Sequence, residues 1–255
     1  MEKCLLETKG LSKSYGDFEA VHNLDLQVAR GEIFTFLGPN GAGKTTTIKM
    51  LMGILQPSGG EARIDSFDCF KERVEVMRRV GYLPDDPIFY DYLKGSETIS
   101  FVGEMHGLSR KEISESSKPL LERLDLGDAL QDYATNYSRG MKKKLGMICA
   151  LIHDPDILIL DEPTSGLDPY ASRVMLELIR ERKATGKTVF FSTHLLDQAE
   201  KLCDKVGILF KGKLSACGTL DELSTSLAKG GDLEEIFFAV TSPDNDNNSD
   251  NGAKS

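Results

Sequence analysis

Apolar residues recur along this chain with two different periods, and the switches between them mark out its elements. From about Cys4 to Val28 the period is two: Leu24, Leu26 and Val28 alternate with Asp25 and Gln27, as in a strand with one buried face. Arg30-Gly31-Glu32 turns the chain into Ile33-Phe34-Thr35-Phe36-Leu37, an unbroken run that reads as a buried strand. Ile48, Leu51, Met52 and Leu55 follow at helical spacing. Gln56-Pro57-Ser58-Gly59-Gly60 is a turn, Glu61 to Phe67 reads as one strand, and Val74, Met77 and Val80 put a helical face on 71–80. Gly81 to Pro87 breaks the pattern. From about Tyr92 to Tyr133 the sequence is helical and polar, with no strand run. Ser109 and Glu112 form a capping box, and Leu120, Leu121, Leu124 and Leu126 supply an apolar stripe.

The mixed pattern then resumes. Ile157-Leu158-Ile159-Leu160 reads as a central parallel strand buried on both faces. Asp168-Pro169 opens a helix with an N-cap and a proline at the first helical position. Val174, Met175, Leu178 and Ile179 face inward on it, and Gly186 ends it. Thr188 to Ser192 is a further strand, Thr193-His194 leads into another helix, and Val206 to Phe210 with Lys211-Gly212-Lys213 reads as a hairpin. The expected class is α/β, with a helical insertion in the middle third. From Ser242 onward Asp, Asn, Ser and Gly dominate, and that tail is expected to be disordered.

Composition narrows the function classes. With 255 residues, 40% apolar and 28% charged, the chain has the makings of a soluble globular protein. Its net charge of −9 argues against a nucleic-acid binder that works by neutralising phosphates. Five scattered cysteines without a C-x-x-C pair suggest free thiols in a reducing cytosol. No run approaches the roughly 18 apolar residues needed to span a bilayer, so a membrane role requires another polypeptide.

The chemistry begins at Gly38-Pro39-Asn40-Gly41-Ala42-Gly43-Lys44-Thr45, which fits G-x-x-x-x-G-K-[ST] between a strand and a helix. The glycines let backbone N–H groups converge on one concavity, and the helix N-terminus adds positive potential. Lys44 reaches terminal phosphates from there, and the Thr45 hydroxyl can take a place on magnesium. Asp161 ends an apolar strand beside this loop, where it can hold magnesium. Glu162 directly after it is either a general base for an attacking water or part of a solvated acidic turn. His194 follows the next strand, so it reaches the same sheet edge, as a phosphate donor or as a structural histidine. Tyr15, before Gly16-Asp17, is open between a packed surface residue and a ligand contact. Lys142-Lys143-Lys144 reads as a solvated helix face.

Taken in order, these motifs resemble the nucleotide-binding domain of the ATP-binding cassette (ABC) superfamily over nearly all the chain to about residue 240. Gly38–Thr45 is similar to the Walker A loop, Ile157–Glu162 to the Walker B strand with its catalytic glutamate, Ser165-Gly166-Leu167-Asp168 to the D-loop, and His194 to the switch histidine. Tyr15 sits at the position of the adenine-stacking aromatic, and Asp85 at the Q-loop position, where the family usually carries glutamine. Tyr137-Ser138-Arg139-Gly140-Met141 stands where the family has L-S-G-G-Q; Arg139 and Met141 depart from it, and Ser138 and Gly140 keep it. This form, the segment Tyr92-Leu93-Lys94-Gly95 and the ending Leu233-Glu234-Glu235-Ile236-Phe237 resemble ATPase subunits of ABC-2-type exporters of drugs, antibiotics and peptides.

The resemblance implies a P-loop fold with a mostly parallel sheet, an N-terminal antiparallel β subdomain and a helical subdomain at about 88–150. It also implies one ATPase domain over 1–240 with a polar, acidic tail at 241–255. ATP would be bound by Tyr15, Gly38, Pro39, Asn40, Gly41, Ala42, Gly43, Lys44, Thr45 and Thr46, and by Ser138 and Gly140 of a second copy or a related subunit. Magnesium would be held by Thr45, Asp85 and Asp161, and Glu162, His194 and Lys44 would carry hydrolysis. The implied protein powers separate membrane-spanning subunits from the cytoplasmic face of the membrane, with no nucleic-acid partner. A soluble ABC ATPase acting on ribosomes or nucleic acid is the alternative, although the fused cassettes, coiled-coil arms or basic extensions usual in that class are absent.

Overall fold

The two-residue period of the opening segment builds β1 (Cys4–Tyr15) and β2 (Phe18–Ala29), paired antiparallel. The computed structural model describes residues 4–227 and 231–241, so the tail from Ser242 lies outside the described residues. After β3 (Ile33–Leu37) and α1 (Lys44–Leu51), β4 (Gly59–Ile64) and β5 (Phe67–Asp68) complete a four-stranded sheet in the order β2-β1-β4-β5. The single strand expected over Glu61–Phe67 is thus two. Asp65 and Ser66 take positive φ values of 49° and 74° and reverse the chain in a two-residue hairpin turn.

A second correction concerns 71–80. The helix there, α2 (Arg73–Met77), is short; Val74 is 67% exposed on it, and Val76 is the residue that goes inside. Val80 instead opens β6 (Val80–Leu83), hidden in the stretch that seemed only to break the pattern. Four residues with a glycine among them carry little periodic signal, and pairing with a buried neighbour decides their state. Gly81 is needed there: a Cβ on it would meet the Ala150 carbonyl oxygen at 2.0 Å.

The middle third is helical as expected, with α3 (Gly95–Met105), α4 (Arg110–Arg123) and α5 (Arg139–Leu151). Ser109 and Glu112 cap α4 reciprocally. Where this arm meets the core, His106 stacks on His153 with ring centroids 3.6 Å apart and planes 10° from parallel. His153 Nε2 lies 3.2 Å from the Val80 carbonyl oxygen, while its Nδ1 is buried without a hydrogen-bond partner. Burial holds the His153 imidazole down to about 4, with His106 and Arg182 adding to the effect and Asp154 opposing it.

The remaining strands are β7 (Ile157–Asp161), β8 (Thr188–Thr193), β9 (Lys205–Phe210) and β10 (Lys213–Gly218), and the remaining helices α6 (Pro169–Ala184), α7 (Leu196–Leu202), α8 (Leu220–Leu227) and α9 (Leu233–Thr241). The main sheet runs β10-β9-β3-β8-β7-β6, parallel except for β10. Every residue of β3, β7 and β8 is buried, which explains their unbroken apolar runs. One face carries Phe34, Phe36 and Phe190 against α1 and the antiparallel sheet. The other carries Ile33, Leu158, Leu160, Val189 and Phe191 against α5 and α6, whose Met175 and Ile179 are fully buried. Each such side chain contributes about 2 kcal/mol by leaving water. The sheet is fixed from both sides, so its edge is a rigid place to mount chemistry.

Candidate functional site

Parallel strands all end at the same edge of a sheet, and register decides which ends are neighbours. Here Leu37 pairs with Thr193, Ser192 with Asp161, and Leu160 with Leu83. Gly38, His194 and Glu162 directly follow these strands and Asp85 comes two residues after Leu83, so one edge gathers them. At the end of β3 the glycine-rich loop turns into α1 through Gly43, whose φ of 104° is a left-handed value and whose Cβ, if added, would meet the Ala20 carbonyl oxygen at 2.7 Å. The buried Lys44 lies under the loop. Its Nζ donates to the carbonyl oxygens of Gly38 at 2.7 Å and Pro39 at 3.2 Å, and stands 3.4 Å from Glu162 Oε1.

The cleft above this loop has a volume of about 320 Å³ and is lined by Tyr15, Pro39, Asn40, Gly41, Ala42, Gly43, Lys44, Thr45, Thr46, Asp85 and Glu162. Phe18 and Ala20 line it too. Sequence reasoning missed Phe18, though its partnership with Tyr15 across the Gly16-Asp17 turn was there to be found. The two rings are 51% and 65% exposed at the mouth, an unusual position for paired aromatics that bind nothing. A larger cavity of about 570 Å³ lies between α3 and α4 and touches none of these residues.

Beneath the cleft Asp161 is buried. Its Oδ1 accepts from Ser192 Oγ at 2.5 Å, and its Oδ2 is buried with no hydrogen-bond partner. Glu162 leaves the strand with φ at 47°, a conformation that costs a non-glycine residue energy and aims its side chain into the cleft. Its N–H donates to Ser192 Oγ at 3.1 Å, and its Oε2 lies 2.9 Å from His194 Nδ1. Ser192 therefore orients both carboxylate residues, a role that sequence did not disclose. The orphan oxygen of Asp161 and the exposed Thr45 hydroxyl are hard donors suited to a divalent cation, and the Lys44 ammonium with the loop N–H groups suits a polyphosphate.

Two expected participants stand elsewhere. Ser138 and Gly140 do not line the cleft. Ser138 is the exposed N-cap of α5, accepting from the Met141 N–H at 3.2 Å, and Gly140 lies beside Gly166 of the same chain. Asp85 does line the cleft, but its Oδ1 is engaged by Arg139 at 3.2 Å and by Lys143 at 3.0 Å. Lys143 corrects the reading of the lysine run as a solvated face: its side chain is 0% exposed. Burial pulls its ammonium below the ordinary lysine value, and Asp85 pushes back. The signal was its helical phase, since Met147 and Ala150, on the same inward face, are buried with it.

Comparison with known proteins agrees with this geometry. The profile of the family described as ABC transporter matches residues 21–165. The ABC transporter ATP-binding protein YxlF of Bacillus subtilis is 42% identical over 86% of this chain and 72% of its own length. The linearmycin resistance ATP-binding protein LnrL, also of Bacillus subtilis, is 34% identical over 89% of this chain and 73% of its own. A solved structure of the ATP-binding subunit of an ABC transporter superposes with a TM-score of 0.87 at 35% identity, covering 92% of this chain and 99% of that one.

Proposed function

The chain belongs to the ABC transporter family as an ATP-binding, ATPase subunit, and on that premise we propose that it works as half of a head-to-tail dimer that drives a separate membrane-spanning exporter. The observation that carries the dimer is the split between the two halves of the expected site. Lys44 and Glu162 line the cleft, Asp161 lies beneath it and His194 reaches Glu162, while Ser138 and Gly140, at the start of α5, do not line it. A γ-phosphate held by the loop alone lacks donors on its far side, where negative charge grows during transfer. The Ser138 hydroxyl and the Gly140 N–H of a second subunit supply them.

In this reading ATP stacks its base on Tyr15 and Phe18 and lays its phosphates over Gly38–Thr46. The arriving phosphates compete with Glu162 for Lys44, which frees the carboxylate to take a proton from the attacking water. His194 holds the Glu162 carboxylate in place and can turn toward the γ-phosphate. Thr45 and Asp161 would hold magnesium, which when bound draws charge from the phosphate oxygens. Closure on ATP is a population shift toward the dimer that binds it better.

The exporter partner is supported by a second observation. Ile88, Tyr90, Tyr92, Phe101 and Met105 are all exposed on the helical arm, and Tyr90 stacks on Tyr92 and meets Phe101 edge-on. An exposed aromatic cluster of this kind, with Ile88 and Met105 exposed on the same segment, suits a protein contact. No helix among the described residues is long and apolar enough to cross a membrane; in this reading the partner supplies the spanning segments and the subunit docks on it at the cytoplasmic face. The test is Glu162→Gln. Turnover falls by at least a hundredfold, ATP affinity is kept, and ATP traps a dimer in size-exclusion chromatography; unchanged turnover removes Glu162 as the base.

A further inference from the structure

Two of the positions at which this chain departs from the family's motifs, Asp85 and Arg139, lie together in space, and Lys143 joins them. Lys143 Nζ has three N–H donors, and the structure gives it three oxygens: Asp85 O at 2.7 Å, Asp85 Oδ1 at 3.0 Å and Glu162 O at 2.7 Å. The ammonium is saturated. Arg139 reaches the same Asp85 oxygen from the exposed side at 3.2 Å and also donates to Ser165 Oγ at 3.2 Å.

From this arrangement we infer that Lys143 is a positioning residue for Glu162 and that the Asp85 carboxylate serves as its counterion instead of as a magnesium ligand. The inference rests on the proposed role of Glu162 as base. Glu162 must hold a left-handed backbone at the end of β7, and hydrogen bonds fix the peptide on each side of it. Ser192 Oγ takes the N–H on one side; on the other the carbonyl oxygen accepts from Lys143 Nζ at 2.7 Å and from the Ser165 N–H at 3.1 Å, and the lysine supplies the charged bond. A carbonyl gripped by a buried cation cannot rotate without breaking a charge-assisted bond in a place that water does not reach. A buried ammonium needs a partner of opposite charge, and the carboxylate at position 85 provides it. A glutamine at 85 has no charge to offer, so with Asp161 acting only at longer range the aspartate at 85 is the direct partner that the buried lysine at 143 needs.

The experiment is a double-mutant cycle on the full chain with Asp85→Gln, Lys143→Gln and the double variant. It is read in thermal unfolding without nucleotide, in the kcat and KM for ATP, and in the magnesium concentration giving half-maximal hydrolysis. Asp85→Gln strands the lysine charge, so its Tm falls by roughly 6–12 °C. Its kcat falls on the order of tenfold to a hundredfold through misplacement of Glu162, with KM within about twofold. The double variant, whose neutral amides can bond each other and the Glu162 carbonyl, recovers most of both losses. The magnesium midpoint stays put throughout. An Asp85→Gln variant whose magnesium midpoint moves severalfold, or a double variant that recovers nothing or does not fold, overturns the inference, as do two single variants that behave like wild type. Should the wild-type chain not hydrolyse ATP, the ATPase reading fails, and the unfolding cycle still decides the Asp85–Lys143 pairing by itself.

Discussion

The stacked imidazoles of His106 and His153 set a pH limit on the joint between the helical arm and the core. Protonating His153 puts a cation 3.6 Å from a second imidazole and close to Arg182, in a site where the Val80 carbonyl and Asp154 offset only part of the cost. Its imidazole is held to about 4 in the fold, against an ordinary 6.5. The folded value is the lower one, so as pH falls below 6.5 the unfolded chain takes up the proton first. Stability from this pair is complete above that value and is lost progressively as pH falls toward about 4. The full gap corresponds to about 3 kcal/mol, and near pH 5.5 the loss is about 1 kcal/mol once solvent at the open edge of the ring is allowed for. For a chain of this size that is a Tm decrease of about 2–4 °C between about pH 7.5 and 5.5. Thermal unfolding followed by circular dichroism, on wild type and His153→Phe, separates the histidine pair from titrating groups elsewhere in the chain. The variant keeps a ring against His106 and loses the His153 titration, so the wild-type Tm falls relative to the variant's by about 2–4 °C as the pH is lowered. Parallel curves would refute the argument.

Two further substitutions test parts of the site that sequence did not reveal. Ser192→Ala leaves Asp161 Oδ1 and the Glu162 N–H without their shared partner, so stability falls by about 1–3 kcal/mol and kcat falls with it; a stable variant with lowered kcat would make Ser192 an orienting group alone. Phe18→Ala removes an exposed ring, so Tm is unchanged while the ATP dissociation constant rises about three- to tenfold, as expected for one lost stacking contact. Calorimetric titration beside Tyr15→Ala measures it, and no change in either variant removes the aromatic pair from the base site.

What was legible in the sequence is what local pattern encodes. The apolar runs at Ile33–Leu37, Ile157–Leu160 and Thr188–Ser192 announced the central strands, and residues at their ends announced a shared edge. The parts that escaped are those set by distant neighbours. Val80–Leu83 is too short and too glycine-rich to read as a strand until Ile157–Leu160 lies beside it. Lys143 sits in a run of three lysines, a composition that nearly always means solvent, and the aspartate that permits its burial lies in another element. Ser192 looked like the last residue of a strand and nothing more, because Asp161 meets it only across the sheet. Long-range pairing of polar groups leaves no periodic trace.

The helix α5 carries the exposed cap Ser138 at its start and the buried Lys143 about one and a half turns later, separated by roughly 7 Å of rigid backbone. It is a rod with one end at the surface and a grip on the Glu162 carbonyl further along. In the proposed dimer the cap would dock on the nucleotide of a second subunit, and any tilt of the rod would be delivered to Glu162 of its own subunit. The two hydrolytic centres of such a pair would then sense each other's occupancy through the Lys143 ammonium, a route that lies wholly within the two ATPase subunits.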